Sequence, residues 1–443
     1  MPPARTGVAT CSAELVAALA GEHQIDTFVN QQVANVHRGT TGASRVRSAH
    51  DFVWLNALEP YDLTVFQLGN SSAHDYIWPY LFRFPGLAVL HDAHLHHARA
   101  ASLLQGKRAA DYRAEFAANA PDTSVELAEV AVAGFASHLY YSWPMTRLIA
   151  LASRVMAVHS SLTAALLREA TPGAQIEHVH LGHGRRVGEA EADRAAERVR
   201  SRHDIPRDSV LFGVYGGITP EKRVPQVLSA FAALLPYVPS ARLLLAGAPA
   251  AHYDLRSDLD ALGIAECTTV TEYIEGDDEF TEYVAGCDVA ITLRWPSARE
   301  VSGPWLRALA AGRPTIITDL EHMADVPALD PRTWTPPQSA TAAPPVAVSI
   351  DILDEDHSLR LAMRRLAGDA DLRRRLGRSA SAYWEKHHSV DRMVDDYRRV
   401  IPLALATPAP AVDLPAHLRA DGTARLGQLL APFGTAADLW GKL

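Results

Sequence analysis

Cysteine is scarce: Cys11, Cys267 and Cys287 are the only three in 443 residues, and they stand far apart. No CxxC and no Cys/His pattern with metal-ligand spacing occurs. That excludes a disulfide scaffold and the common zinc modules, and it fits a reducing compartment. No uninterrupted apolar run reaches the roughly 18 residues a spanning helix needs. The opening MPPARTG has no apolar stretch behind its single Arg and does not read as a signal peptide. Positive charge is not in excess either. Lys and Arg number 42 against 51 Asp and Glu, for a net charge of −9. Nucleic acid is therefore excluded as a general partner, and Arg185-Arg186 and Arg373-Arg374-Arg375 read as solvated faces. No repeat of about 20–50 residues appears. A cytoplasmic protein is expected, with peripheral contact at the inner membrane face left open.

What is present is an α/β pattern. The chain is too long for one core, and two domains are expected. Apolar runs suited to buried parallel strands recur at Gln24–Val29, Asp62–Gln67, Leu87–Leu90, Ser153–Val158 and Ile176–Leu181. A charged stretch, Glu189 to Asp208, reads as helix and linker. The alternation then resumes at Val210–Tyr215, Arg242–Ala246, Thr268–Val270, Val289–Leu293 and Thr315–Thr318. Two doubly wound, Rossmann-like domains facing a cleft are the expected fold, over 1–195 and 205–380. A helix over 381–401 is expected to cross back to the first domain, and 402–443 to be a Pro/Ala-rich linker and tail. TPPQSATAAPPVA (335–347) reads as a loop. The chain opens with a helix where such a domain normally opens with a central strand. Either the sheet lacks its first strand, or the natural start lies upstream of Met1; both readings stay open.

Candidate chemistry gathers at the carboxyl ends of the expected strands. GITPEKR (217–223) follows one strand and precedes a helix. Gly217 would bring backbone N–H groups toward an anion, and Lys222 and Arg223 would add charge. The bland alternative is a helix start with two solvated cations. The GxxxxGK[ST] spacing of the nucleotide P-loop is absent. LRWPSAREVSGPWLRALAAGRP (293–314) runs from strand to loop to helix, with Glu300, Ser302 and Gly303 at the helix start. It can hold a phosphorylated ligand, or simply be a helix capped by Ser302. HDAHLHH (91–97) gathers histidines without a carboxylate or cysteine at metal spacing. A contact to a substrate hydroxyl and a structural histidine are both open, and no metal is assigned. Asn70 and His74 end another strand, and Gly7 in ARTGVA (4–9) precedes the first helix. FASHLYYSWP (135–144) concentrates aromatics, for packing or for a lipid-linked acceptor.

These motifs together resemble the retaining glycosyltransferases of family 4, which have the GT-B fold. The resemblance runs from Pro2 to about Ile401. It is carried most specifically by FGVYGGITPEKRVPQVLSAF (212–231) and LRWPSAREVSGPWLRALAAGRPTIITD (293–319), within a branch bearing an E-x-SG…RALAxG donor loop. It implies that Lys222, with Arg223, holds the donor pyrophosphate. Glu300, Ser302 and Gly303 would contact the donor sugar and distal phosphate. Gly7 would edge the diphosphate, and His91 would lie near the reacting sugar. His91, Lys222 and Glu300 are thus the catalytic candidates. Gly217 and Arg307 join Gly7, Lys222, Arg223, Glu300, Ser302 and Gly303 as donor-binding candidates. Two departures matter. Arg307 stands where a ribose-binding glutamate is usual, and Gly217 where an arginine joins the lysine. The activity implied is metal-independent sugar transfer from a nucleoside-diphosphate sugar, without a cofactor, to a sugar or glycolipid acceptor. The alternatives are a catalytically silent binding scaffold on the same fold and a sugar-nucleotide epimerase.

Overall fold

Leu87–Leu90 and Val155–Val158 are buried at every position, as parallel strands covered on both faces require. They belong to the first of two α/β units in this computed structural model, which describes residues 1, 4, 6–31, 45–135, 139–336, 343–420 and 423–433. The first unit comprises Met1–Val179, Ala298–Glu300 and Val394–Leu443. The second comprises His180–Ser297 and Val301–Met393.

In the first unit the strands are β1 (Asp26–Val29), β2 (Arg45–Ser48), β3 (Val65–Leu68), β4 (Leu87–Leu90), β5 (Val155–Val158) and β6 (Ile176–His178). They form two separate parallel sheets, β1–β2 and β3–β4–β5–β6. Among the described residues no strand precedes the helix Gly7–Leu19, which Thr6 caps by accepting from the Ala9 N–H at 3.2 Å. The small sheet is anchored by aromatic rings: Phe28 meets Phe52 and Tyr61 edge-on, and the Tyr61 hydroxyl donates to Asp26 at 2.8 Å. Between β4 and β5 lies a set of helices packed around Leu103, Tyr112, Phe116 and Met145. Tyr140 and Trp143, from the aromatic stretch 135–144, pack against them; residues 136–138 lie outside the described residues.

The second unit contains β7 (Leu211–Tyr215), β8 (Arg242–Ala246), β9 (Thr268–Val270), β10 (Val289–Thr292), β11 (Thr315–Thr318), β12 (Ala328–Leu329) and β13 (Ala347–Ile350). All are parallel, in the order β12–β13–β11–β10–β7–β8–β9. One face buries Phe212, Val214, Phe231, Ile291 and Leu359, and the other Leu211, Tyr215, Leu244 and Ala290.

Several expectations change. The boundary expected near 195 falls at Val179/His180, because the charged helix Glu189–Arg202 buries Ala192, Ala195 and Val199 beside Tyr283, Val284 and Ala285 of the helix Asp277–Gly286. It is part of the second unit and not a linker. The helix expected over 381–401 is two, Ala370–His387 and Val390–Ala406. They part at His388, and the Ser389 hydroxyl accepts from the Arg392 N–H at 3.2 Å to start the second. That helix continues through Pro402. The tail is more than a linker. Val412, Leu414 and Leu418 pack against the first unit's core, and His417 Nε2 lies 2.7 Å from buried Glu115, which Arg99 also pairs. Much of the loop expected over 335–347, and the closing DLWGKL, lie outside the described residues.

Candidate functional site

In the second unit, β7 and β10 are neighbours in parallel register, Val289 opposite Phe212 through Ile291 opposite Val214. The loops leaving their carboxyl ends therefore run side by side, and the Trp295 N–H donates to the Glu221 carbonyl at 2.8 Å. After Tyr215, Gly216 takes a φ of +76°. Lys222 reaches back from the turn Pro220–Lys222 and donates to the Tyr215 carbonyl at 2.5 Å. A Cβ on Gly216 would sit 2.8 Å from Lys222 Nζ and 3.9 Å from Pro304 Cγ. The ammonium and the start of the helix Gly303–Ala310 thus border one glycine. Gly217 is exposed, and a Cβ there would meet only Thr219 within 4 Å. Ser302 caps the helix by accepting from the Trp305 N–H at 3.4 Å, so the bland expectation for this residue is met. Gly303 abuts His183, whose Cδ2 would be 3.3 Å from an added Cβ.

Behind the loops, burial raises the Tyr215 hydroxyl well above its ordinary value and pushes the Cys287 thiol up to about 12. Both stay protonated and serve as packing.

Two expected donor contacts are differently engaged. Arg223, in the left-handed region at φ 58°, places its guanidinium against both carboxylate oxygens of Glu355, Nε at 2.8 Å. Arg307, 6% exposed, donates to His183 Nε2 at 2.9 Å, to Thr281 at 3.2 Å and to the Asp277 carboxylate. The Phe280 ring lies 5.3 Å from its guanidinium. Arg223 and Arg307 thus hold side-chain partners, while Lys222, bonded to the Tyr215 carbonyl, borders Gly216.

In the first unit, Gly7 opens its helix with no heavy atom within 4 Å of a built Cβ, so the approach to its backbone is open. His91 follows β4. Its Nε2 lies 2.7 Å from the Gln67 side chain, and its Nδ1 lies 3.3 Å from His159 Nε2. Asn70 is a capping residue: its side-chain oxygen accepts from the Ala98 N–H at 2.9 Å, and its own N–H donates to Asp92 at 2.6 Å. Burial lowers the His74 pKa, keeping that ring neutral beside the Gly69 carbonyl. Glu300 is half-buried and groups with the first unit in the segment Ala298–Glu300, where the His94 N–H donates to the Ala298 carbonyl at 3.0 Å.

Sequence reasoning passed over His183, Gln67, His159, Tyr397 and Asp277. The glycines flanking His183 carried a signal. A Cβ on Gly182 would lie 2.5 Å from the Ser389 carbonyl, and Gly184 has a φ of +81°, so the backbone is pinned where His183 meets Arg307. The others act through long-range pairing, which spacing does not reveal.

Residues 209–342 match the family described as glycosyl transferases group 1. That segment holds Gly217, Lys222, Arg223, Glu300, Ser302, Gly303 and Arg307. The comparison with curated proteins finds no match. Solved structures similar to the chain include Anabaena HepE in complex with UDP and glucose, at a TM-score of 0.60 and 11% identity, covering 90% of this chain and 96% of that one. The glycosyltransferase WaaG of lipopolysaccharide biosynthesis gives a TM-score of 0.58 at 13% identity, covering 89% and 96%. Sucrose-phosphate synthase of Thermosynechococcus elongatus gives 0.60 at 15% identity, covering 89% and 92%. The fold is that of the GT-B glycosyltransferases. No helix among the described residues is long and apolar enough to cross a membrane.

Proposed function

We propose that this protein is a retaining glycosyltransferase that moves a sugar from a nucleoside-diphosphate donor to a sugar or glycolipid acceptor. The observation that carries the reading is the convergence of Lys222 Nζ and the start of the helix Gly303–Ala310 on Gly216, at the ends of adjacent parallel strands. A diphosphate in that position meets an ammonium, open backbone at Gly217 and the positive end of a helix. The family match over these loops and the UDP-glucose held by Anabaena HepE, a chain of the same fold, support the same donor chemistry here.

As the bond between the anomeric carbon and the diphosphate oxygen breaks, negative charge grows on the leaving group. Lys222 stabilises it electrostatically, without a metal. The sugar becomes oxocarbenium-like. The acceptor oxygen bonds to the anomeric carbon from the face the diphosphate leaves, and its proton passes to a departing phosphate oxygen. No protein nucleophile is required. His91 stands for the donor sugar in the first unit, and Glu300 for its hydroxyls. The engaged guanidinium groups of Arg223 and Arg307 favour one second reading, a scaffold that binds nucleotide without turning it over.

The test is nucleotide release from UDP-, GDP- and ADP-glucose with a panel of sugar and glycolipid acceptors. Release of one nucleotide by the wild type, reduced about 100-fold or more in Lys222→Ala with unchanged thermal unfolding, is the expected result. Wild-type turnover in Lys222→Ala overturns the role of the lysine. Nucleotide-dependent stabilisation without release with any acceptor establishes the scaffold instead.

A further inference from the structure

One ion pair of the second unit is lopsided. The Arg307 side chain is 6% exposed and that of its partner Asp277 is 58% exposed. The guanidinium donates through Nη2 to Asp277 Oδ1, through Nε to His183 and through Nη1 to Thr281. Among the described residues the other carboxylate oxygen, Asp277 Oδ2, has no hydrogen-bond partner. Acidic residues suit the first turn of the helix Asp277–Gly286, and Asp278 and Glu279 serve that end as well as Asp277 does. Of these three, Asp277 alone is tied to a buried guanidinium, which the helix dipole does not account for.

The pair stands close to the helix start that borders Gly216. Gly303 opens the helix that carries Arg307, and four residues of helix advance about 6 Å along the axis. Side chains on a helix lean toward its N-terminus, which shortens that gap. One edge of the His183 ring touches both places. Its Cδ2 would lie 3.3 Å from a Cβ on Gly303, and the neighbouring Nε2 accepts from Arg307 Nε at 2.9 Å. A nucleoside diphosphate carries its ribose directly on the inner phosphate. The ribose diol offers two hydroxyl donors side by side. A carboxylate oxygen accepts from such a diol, whereas a guanidinium has no acceptor at all.

We propose that Asp277 accepts hydrogen bonds from the 2′- and 3′-hydroxyls of the donor's ribose, and that Arg307 is the positioning residue that fixes its carboxylate. This deepens the glycosyltransferase reading and rests on it for the diphosphate at Gly216, Lys222 and Gly303. Arg307 holds Oδ1, so Oδ2 is presented in one orientation and little side-chain freedom is lost when the ribose arrives. The two residues come from different helices, Asp277–Gly286 and Gly303–Ala310. Selection for a ribonucleotide is thereby built from a pair 30 positions apart in sequence.

Titration calorimetry with UDP, GDP and ADP, each beside its 2′,3′-dideoxy form, tests this without turnover. The wild type is expected to bind one ribonucleotide about tenfold or more tighter than its dideoxy form. In Asp277→Ala the ribonucleotide is expected to fall to the dideoxy level, with dideoxy affinity unchanged, which also shows that the variant is folded. Arg307→Met is expected to lose part of the same preference, again with dideoxy affinity unchanged. A preference retained in Asp277→Ala overturns the proposal, as does an equal fall in both affinities, since that marks a structural role only. An unchanged preference in Arg307→Met overturns the positioning role. Wild-type binding with no preference for the ribose form overturns the proposal and leaves the donor-site reading standing. No binding of any of the three diphosphates overturns that reading, and the proposal with it.

Discussion

Lys222 and Arg223 are adjacent and carry the same charge, yet they serve different ends. Lys222 lies across the end of β7, while Arg223 is tied to Glu355. Arg307 shows the same economy of means. Its guanidinium joins Asp277, Thr281 and His183, and removing it leaves those groups short of a donor. The Asp277 end is exposed, so Arg307→Met is expected to cost about 2 kcal/mol rather than the full loss of a buried pair, read as a lowered urea midpoint. His96 supplies a pH effect. It is fully buried, donating from Nδ1 to the Trp143 carbonyl at 2.9 Å and accepting at Nε2 from the Tyr112 hydroxyl at 2.8 Å. Burial lowers its pKa to about 4 from an unfolded value near 6.5. Between those values the unfolded chain binds a proton that the folded one refuses, so stability falls as pH drops. The loss is about 3 kcal/mol by about pH 4. Urea midpoints followed from neutral to acid pH are expected to fall less steeply for His96→Gln than for the wild type.

Elements meet at close backbone contacts that sequence periodicity does not show. The helix Ala370–His387 passes the turn ending the helix Gly303–Ala310, where a Cβ on Gly377 would sit 2.2 Å from the Gly312 carbonyl oxygen. Gly377→Ala is therefore expected to destabilise by about 1–3 kcal/mol despite its better helix propensity, measured by thermal unfolding. The tail gives a second case. Truncation after residue 407 removes Val412, Leu414 and Leu418 from the core and His417 from Glu115. The expected cost is about 2–4 kcal/mol, seen as a lower melting temperature. Glu115 contributes here too. Burial would raise its pKa, but His417 and Arg99 outweigh that and hold it below the ordinary value. Its stabilisation is present above the unfolded carboxylate pKa and is lost as pH falls through the folded one.

Across the whole molecule, the α/β alternation was legible because parallel strands buried on both faces are continuous apolar runs. Arg242–Ala246, Thr268–Val270 and Thr315–Thr318 fall where those runs stand. β2, with the sequence RVRS, was not legible, since it has no apolar run and depends on pairing with β1. β12 and β13 flank a Pro/Ala-rich stretch that masks them. The loops around Gly217 and Gly303 were visible from strand, glycine and helix start. The guanidinium partners were not, because Glu355 lies 132 positions beyond Arg223. Nucleotide binding is expected to raise the melting temperature, with a ligand at a hundredfold excess over its Kd adding about 2.7 kcal/mol. A thermal-shift screen of uridine, guanosine and adenosine diphosphates checks it.

The left-handed backbone at Arg223 has a consequence for how this chain can vary. Glycine suits that conformation better than arginine does, so Arg223→Gly alone gains backbone ease but strands the buried Glu355 carboxylate. Glu355→Gln alone leaves the arginine without its charge partner. Only the paired exchange relieves both. In a saturation library the two positions are expected to be epistatic, with survivors changing together, although each lies outside the other's local sequence.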